Sequence, residues 1–240
     1  MIKLQKFGTF LALFLMITGL ISCNDDSNTV PFEVNGDVFV SKKMVAADGE
    51  TSIMYATAYY AFGNQPMMIA KVNPPTSAEF VLEAIDNTSK VYAAITGYSK
   101  TPPMAGNYIF TVLHEDVPHQ TNDIVLYNDI DFTTITNVEM ASETLTVEWD
   151  KETSEAESHR IYLINQDGDY IFKGPLLPTI NSKYEVNTSS AGSWPSGYPN
   201  IGDVLTMELH AIVFEEGSTI NDQEYNIQEI AISEQEITWE

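Results

Sequence analysis

Three short segments of the 240-residue chain hold the side-chain types from which catalytic or metal sites are built. "HEDVPH" sets His114 and His119 five positions apart with Pro118 between them. Two histidines share one face of a helix, and so hold zinc, at a spacing of four. This segment follows a β-type run and its proline breaks a helix, so an exposed loop is expected there. "NQDGDY", residues 165–170, places Asp167 and Asp169 at alternate positions but lacks the length and the closing Glu of a helix–loop–helix calcium site. Asp167-Gly168 between apolar runs is instead a hairpin signal. "GSWPSG" sets Ser193 and Ser196 beside glycines without the spacing, or the strand-to-helix pattern, of a nucleophile elbow. No catalytic residue, metal ligand or cofactor is assigned on these segments, and the chain is not expected to be an enzyme. Carboxylate pairs do not change this, because 34 Asp and Glu place some pair within range by chance.

Binding chemistry has one better candidate. In "SAGSWPSGYPN", residues 190–200, Trp194 and Tyr198 stand among Ser, Gly and Pro. Aromatic rings on a loop are amphipathic platforms that stack on sugars or anchor a protein partner, or else fold back to cap their own domain. Exposed, coplanar rings favour the sugar reading and buried rings count against it.

Bulk composition narrows the partners. Eleven Lys and Arg oppose 34 Asp and Glu for a formal net charge of −23, and Arg160 is the sole arginine. A nucleic-acid partner needs clustered cations to displace condensed counterions, and no such cluster exists here. The acids are spread along the chain and read as a solvated surface kept soluble by repulsion. With 44% apolar and 11% aromatic residues, there is enough to bury one or two cores.

The start of the chain carries an address. Lys3 and Lys6 precede an apolar run from Phe7 to Ile21, and Ser22 puts a small residue before Cys23, the only cysteine. That is a secretion signal too short to span a bilayer, which takes about 20 apolar residues. "LISC", Leu20 to Cys23, resembles the lipobox of bacterial lipoproteins. The resemblance implies removal of residues 1–22, diacylglycerol on the Cys23 thiol and acylation of the new amino terminus. Several acyl chains hold a protein durably at a membrane where one does not. Residues 23–30 then form an acidic tether, polar and unpatterned. Asp25 and Asp26 directly after the cysteine resemble the surface-export signal of Bacteroidetes-type lipoproteins, which implies an outer-membrane lipoprotein facing outward. A periplasm-facing lipoprotein is the other reading.

From residue 31 the pattern turns to short β-type runs. Phe32 to Val40, Ile53 to Phe62, Met67 to Val72, Phe80 to Ile85, Val91 to Tyr98, Tyr108 to Leu113 and Ile124 to Tyr127 suit strands, with Pro74-Pro75, Asp86-Asn87 and Pro102-Pro103 as punctuation between them. In "TLTVEWD", Leu145, Val147 and Trp149 share one face. Leu205, Met207, Leu209, Ala211 and Val213 do the same further on, with Thr206, Glu208 and His210 opposite, as half-buried strands require. "ITNVEMASETLTVEWD", "HRIYLIN", "KYEVN" and "GDVLTMELHAIVFEEG" resemble, in order, strands A and B, C, E and F of a fibronectin type III domain over residues 133–233. Leu205 stands where that family usually carries the tyrosine of its F-strand corner. An immunoglobulin-like sandwich of another subtype therefore stays open.

The expected fold is all-β: two tandem immunoglobulin-like sandwiches, residues 31–130 and 131–240, after the signal peptide and tether. The expected function is that of a membrane-anchored, surface-exposed lipoprotein acting as a non-enzymatic adhesion or protein-interaction module. Its partners are the membrane, through lipid on Cys23, and a cell-surface protein. The alternative is a glycan-binding lipoprotein for polysaccharide capture, with Trp194 and Tyr198 on the ligand.

Overall fold

A computed structural model describes residues 30–47, 50–75, 78–126, 129–218 and 226–240. The signal peptide, Cys23, Asp25 and Asp26 lie outside the described residues, as does Tyr127. The described chain is β1 (Val34–Ala47), β2 (Glu50–Gly63), β3 (Ile69–Asn73), β4 (Phe80–Ala84), β5 (Val91–Ile95), β6 (Gly106–His114), β7 (Val117–Val125), β8 (Thr134–Ala141), β9 (Thr144–Asp150), β10 (Ser158–Ile164), β11 (Tyr170–Lys173), β12 (Leu177–Pro178), β13 (Lys183–Val186), β14 (Val204–Phe214) and β15 (Ile227–Thr238), with a 3-10 turn at Lys151–Thr153. Among the described residues no helix is long and apolar enough to cross a membrane.

Contacts divide the chain into two compact units. Of the described residues, one comprises those up to Asp37 with those within Tyr59–Ala94 and Asn107–Ile124; the other comprises those within Val38–Ala58, Ile95–Gly106 and Val125–Glu240. Residues 38–58 and 95–106, which the sequence pattern assigns to the first domain, group with the second unit. Both β1 and β2 therefore contribute to both units. The cause is a parallel pairing of β1 with β15, in which Val40 meets Glu229 and Lys43 meets Ile232.

In the first unit the strands run in the order β2-β5-β4-β3-β6-β7. Period-two alternation sends Ala70, Val72, Leu82, Tyr108, Phe110 and Val112 to one buried face. Gly36 crosses that face so closely that a Cβ there would lie 2.2 Å from the Phe110 ring, which leaves room for glycine alone. The opposite face stays open. Ile69, Val81, Ile109 and Ile124 are 43%, 62%, 39% and 52% exposed. Lys71 pairs with both Val81 and Thr111, and Gln120 donates to the Thr111 hydroxyl, which puts these residues on that same face.

"HEDVPH" is not the loop expected for it. Glu115 and Asp116 form a two-residue turn with φ of 47° and 62°, and β7 starts at Val117. Positive φ at both central residues is what a tight hairpin needs, and here it is met without the Asn or Gly that usually announces one. His114 stacks on Phe32 at 4.2 Å and His119 meets the same ring edge-on at 4.6 Å, so the two imidazoles close an aromatic cluster. His114 Nδ1 also lies 2.8 Å from the Pro66 carbonyl.

The second unit is a sandwich. One sheet is β13-β9-β8 and the other runs β11-β10-β14-β15-β1-β2. The segments matched to strands A, B and E are β8, β9 and β13, in the first sheet, and those matched to C and F are β10 and β14, in the second, which is the division of an immunoglobulin-type sandwich. Between the sheets lie Leu145, Val147 and Trp149 of β9, Ile161 and Leu163 of β10, Phe172, Leu205, Met207, Leu209 and Trp239. Each such side chain contributes about 1.5–3 kcal/mol through removal of apolar surface from water. Leu205, at the place of the corner tyrosine, is one of them.

The other face of β14 departs from the half-buried reading. Glu208 and His210 are 5% and 7% exposed, and Ile212 and Phe214 are buried too. Side chains of neighbouring strands pack over this face: Tyr162 lies against His210, and Ile227, Ile230, Ile232, Phe39 and Leu176 close around Ile212 and Phe214.

Candidate functional site

Two places in the second unit gather chemistry-bearing groups. The first is the loop end, where the hairpin and the aromatic loop picked out in the sequence come together. The chain turns between β10 and β11 through Asn165–Asp169, with Gly168 at φ 83° and the Asn165 side-chain oxygen accepting from the Asp167 and Asp169 amides. Opposite it the 190–203 loop is held by Asp203, whose carboxylate accepts from the Asn200 amide at 2.8 Å. Between them lies a polar concavity of about 290 Å³ lined by Asn165, Asp167, Ser196, Tyr198, Asn200 and Asp203, among others.

Trp194 and Tyr198 do not form an exposed coplanar platform. Both are half-buried. Their rings are 4.6 Å apart but inclined at 54°, and Trp194 packs on Phe172 while Tyr198 stands edge-on to Trp239. The Tyr198 hydroxyl donates to the Glu143 carbonyl at 2.9 Å. The pair caps the core, because two large apolar rings gain more from covering Phe172 and Trp239 than from water. Ser193 is taken up by backbone pairing with Lys173, and the Ser196 hydroxyl lies 3.5 Å from the Tyr170 carbonyl.

The second place is the outer face of the larger sheet, which sequence reasoning missed. Strand register sets Arg160 beside His210, and Tyr162, Glu208 and Glu234 in one row across three strands. Arg160 Nη1 donates to the Tyr162 hydroxyl at 3.3 Å. His210 Nε2 lies 2.7 Å from the Glu208 carboxylate, and its ring packs on Tyr162 at 4.5 Å. Lys43 donates to Glu234 at 2.8 Å and lies over the Tyr98 ring at 4.9 Å. Tyr170 meets Tyr162 edge-on at 5.2 Å.

Glu208 and Glu234 are like charges directly opposite each other, an arrangement that destabilises a sheet unless neutralised. Burial by itself would raise the Glu208 carboxyl, but the hydrogen bond and charge of His210, with Lys43 nearby, hold it below the usual carboxylate range. Burial pushes the Tyr170 hydroxyl well above the usual phenol range, and the negative charge of Glu208 adds to the shift. Burial also raises Tyr98, against the opposing pull of Ser41 and Lys43. The one hint in the sequence was the sole arginine, Arg160, inside an apolar strand.

The class of protein these features define is an all-β protein with an immunoglobulin-type sandwich. No protein-family model matches the chain, and no curated protein matches its sequence. Solved structures resemble it distantly. A two-domain fibronectin type III segment of chicken tenascin aligns with 82% of this chain and 98% of its own, at 9% identity and a TM-score of 0.28. A β-1,2-glucanase from Parabacteroides distasonis covers 87% of this chain over 37% of its own length, at 8% identity and a TM-score of 0.29. A β-D-glucuronidase from Dictyoglomus thermophilum covers 86% over 44% of its own, at 9% and 0.24. Likeness at this level carries no residue and no activity across.

Proposed function

We propose that the protein is an outer-membrane lipoprotein, anchored through Cys23 and directed outward by Asp25 and Asp26, that acts as a non-enzymatic adhesion or protein-interaction module. Its second unit serves as a sandwich of the fibronectin type III kind, and its first unit presents a sheet whose open face is the binding surface. The observation that supports the interaction role is the open face of the first unit, where four aliphatic side chains, Ile69, Val81, Ile109 and Ile124, stay in water on one sheet. Exposed aliphatic side chains interspersed with Lys71, Thr111 and Gln120 give a face of mixed apolar and polar character, which suits docking of another protein.

Two experiments test this reading. Cys23→Ala is expected to shift the protein from the membrane fraction to the soluble fraction, or to leave the precursor uncut; unchanged processing and retention would sink the anchor. Val81→Glu with Ile109→Glu is expected to leave thermal stability within about 0.5 kcal/mol, as exposed substitutions do, and to abolish adhesion of whole cells displaying the protein. Full adhesion by the double variant would remove this face from the account.

The second reading, capture of glycans, is supported by the polar loop-end concavity, whose amides and carboxylates match sugar hydroxyls.

A further inference from the structure

The outer face of the second unit's sheet is built at a cost that its core does not carry. Arg160, Tyr162, Glu208 and His210 are each 7% exposed or less, while the neighbouring positions on the same face hold Ile212, Ile230 and Ile232. A buried charged network is generally no more stabilising than aliphatic side chains of like volume. The same strands show that isoleucine fits there, so stability alone does not account for the chain's only arginine at this place.

What the network does is hold two tyrosine rings in place. Tyr170, 42% exposed, leans edge-on against Tyr162, whose hydroxyl is fixed by Arg160 and whose ring is backed by His210. Tyr98, 39% exposed, is held by Lys43 over its ring and by Ser41 at its hydroxyl. The side chains of Lys43 and Glu234, the ion pair of the same network, are 24% and 28% exposed.

We propose that this face is a binding platform for a neutral saccharide, in which Tyr98 and Tyr170 contact pyranose rings while Lys43 and Glu234 hydrogen-bond vicinal hydroxyls. The inference rests on the glycan reading and moves its site from the loop to the sheet. The ammonium of Lys43 only donates and the carboxylate of Glu234 only accepts, and a vicinal diol meets both needs at once. Rings already held by neighbouring side chains lose little further freedom when a ligand arrives, which favours affinity. Neutral ligands are preferred because Lys43 and Glu234 balance each other and a net charge of −23 repels polyanions. Arg160, Tyr162, Glu208 and His210 act as positioning residues.

The test is calorimetric titration of the full chain in detergent with neutral gluco-, manno- and xylo-hexaoses and with hexagalacturonate as acidic counterpart. At least one neutral hexaose is expected to bind. Tyr98→Ala and Tyr170→Ala should each weaken it about tenfold, the loss of one ring contact, while Tyr170→Phe retains it. Amide exchange of the unsubstituted protein gives a readout that no folding defect can mimic: the ligand should slow exchange in residues 95–106 and in β11. Protection of residues 190–200 instead, or loss with Trp194→Ala but not Tyr170→Ala, overturns this placement and leaves the glycan reading standing. Preference for hexagalacturonate overturns the neutral class. Failure of all four oligosaccharides overturns the inference and the glycan reading together.

Discussion

Replacing Trp239 with alanine is expected to cost the second unit about 3–5 kcal/mol, the range for removing a fully buried aromatic ring. The residue is next to last in the chain, where truncation is ordinarily harmless, yet its side chain is 0% exposed. It stands edge-on to Tyr198 at 5.2 Å and to Trp194 at 6.2 Å, so it is the floor on which the aromatic loop rests. Its backbone ties the chain end down as well: its amide donates to the Asp203 carbonyl at 2.9 Å, and its carbonyl accepts from Gly202 at 2.8 Å. One residue further, the Glu240 carbonyl accepts from Glu143 in the β8–β9 turn. Alanine would leave a cavity bounded by three elements that cannot all collapse into it. Urea unfolding followed by far-ultraviolet dichroism should show the midpoint falling with little change in slope. Trp239→Phe should cost much less, since it keeps a ring and gives up an indole N–H that has no hydrogen-bond partner among the described residues. A loss below about 1 kcal/mol for the alanine variant, the level of an ordinary substitution, would show that the ring does not close the sandwich.

The interior of this sandwich could be read from the chain because it obeys a local rule. Leu145, Val147 and Trp149 alternate along β9, and Leu205, Met207, Leu209 and Ala211 along β14, and all seven are buried. What surrounds that core obeys no local rule. Glu208 and His210 occupy the positions that alternation assigns to water. They are buried because side chains brought in from distant parts of the chain close over them: Tyr162 of β10 packs on His210, and Lys43 and Glu234 meet beside Glu208 across a separation of 191 residues. Polar letters at every second place report only that a strand has two kinds of face. They do not report whether another part of the chain has made the polar face dry.

The turns show a second limit. Asp167-Gly168 announces its hairpin because glycine reaches positive φ without strain. Glu115-Asp116 and Ser142-Glu143 make equally tight connections with φ between 47° and 62°, and none of the four is Gly or Asn. The strands on either side fix these turns, and the residue types within "HEDVPH" do not announce a hairpin. The candidate site was misread for a related reason. Trp194 and Tyr198 lie among loop residues, which reads as exposure, whereas Phe172 and Trp239 draw them inward. Tyr98, at the end of a strand-like run, and Tyr170, at the end of a hairpin segment, carry no such signal, although they keep more of their surface in water.

Stability of the second unit is expected to fall as the pH drops from about 6.5 towards 4, through one side chain, His159. It lies on the core face of β10, 1% exposed, with its ring 5.4 Å from Trp149. Nε2 bonds the Thr133 hydroxyl at 2.9 Å, and Nδ1 is buried with no partner among the described residues. Burial brings its pKa down from 6.5 to about 4. The folded state therefore holds the imidazole neutral in the interval where the unfolded chain already binds a proton. The unfolded state binds more protons there, so stability rises with pH across the window. No penalty applies above 6.5, and the full penalty is reached as the pH passes below the folded value. The difference amounts to about 3 kcal/mol, at 1.36 kcal/mol per pH unit. His159→Gln keeps a polar partner for Thr133 and cannot titrate, so it should remove this slope while the carboxylates act equally in both proteins. Subtracting the urea-unfolding free energies of the two proteins between pH 7.5 and 4 isolates the effect. Parallel curves would mean that the imidazole is protonated in place and that its surroundings admit the charge. A widening gap below pH 6.5 would identify His159 as a source of acid sensitivity in the sandwich.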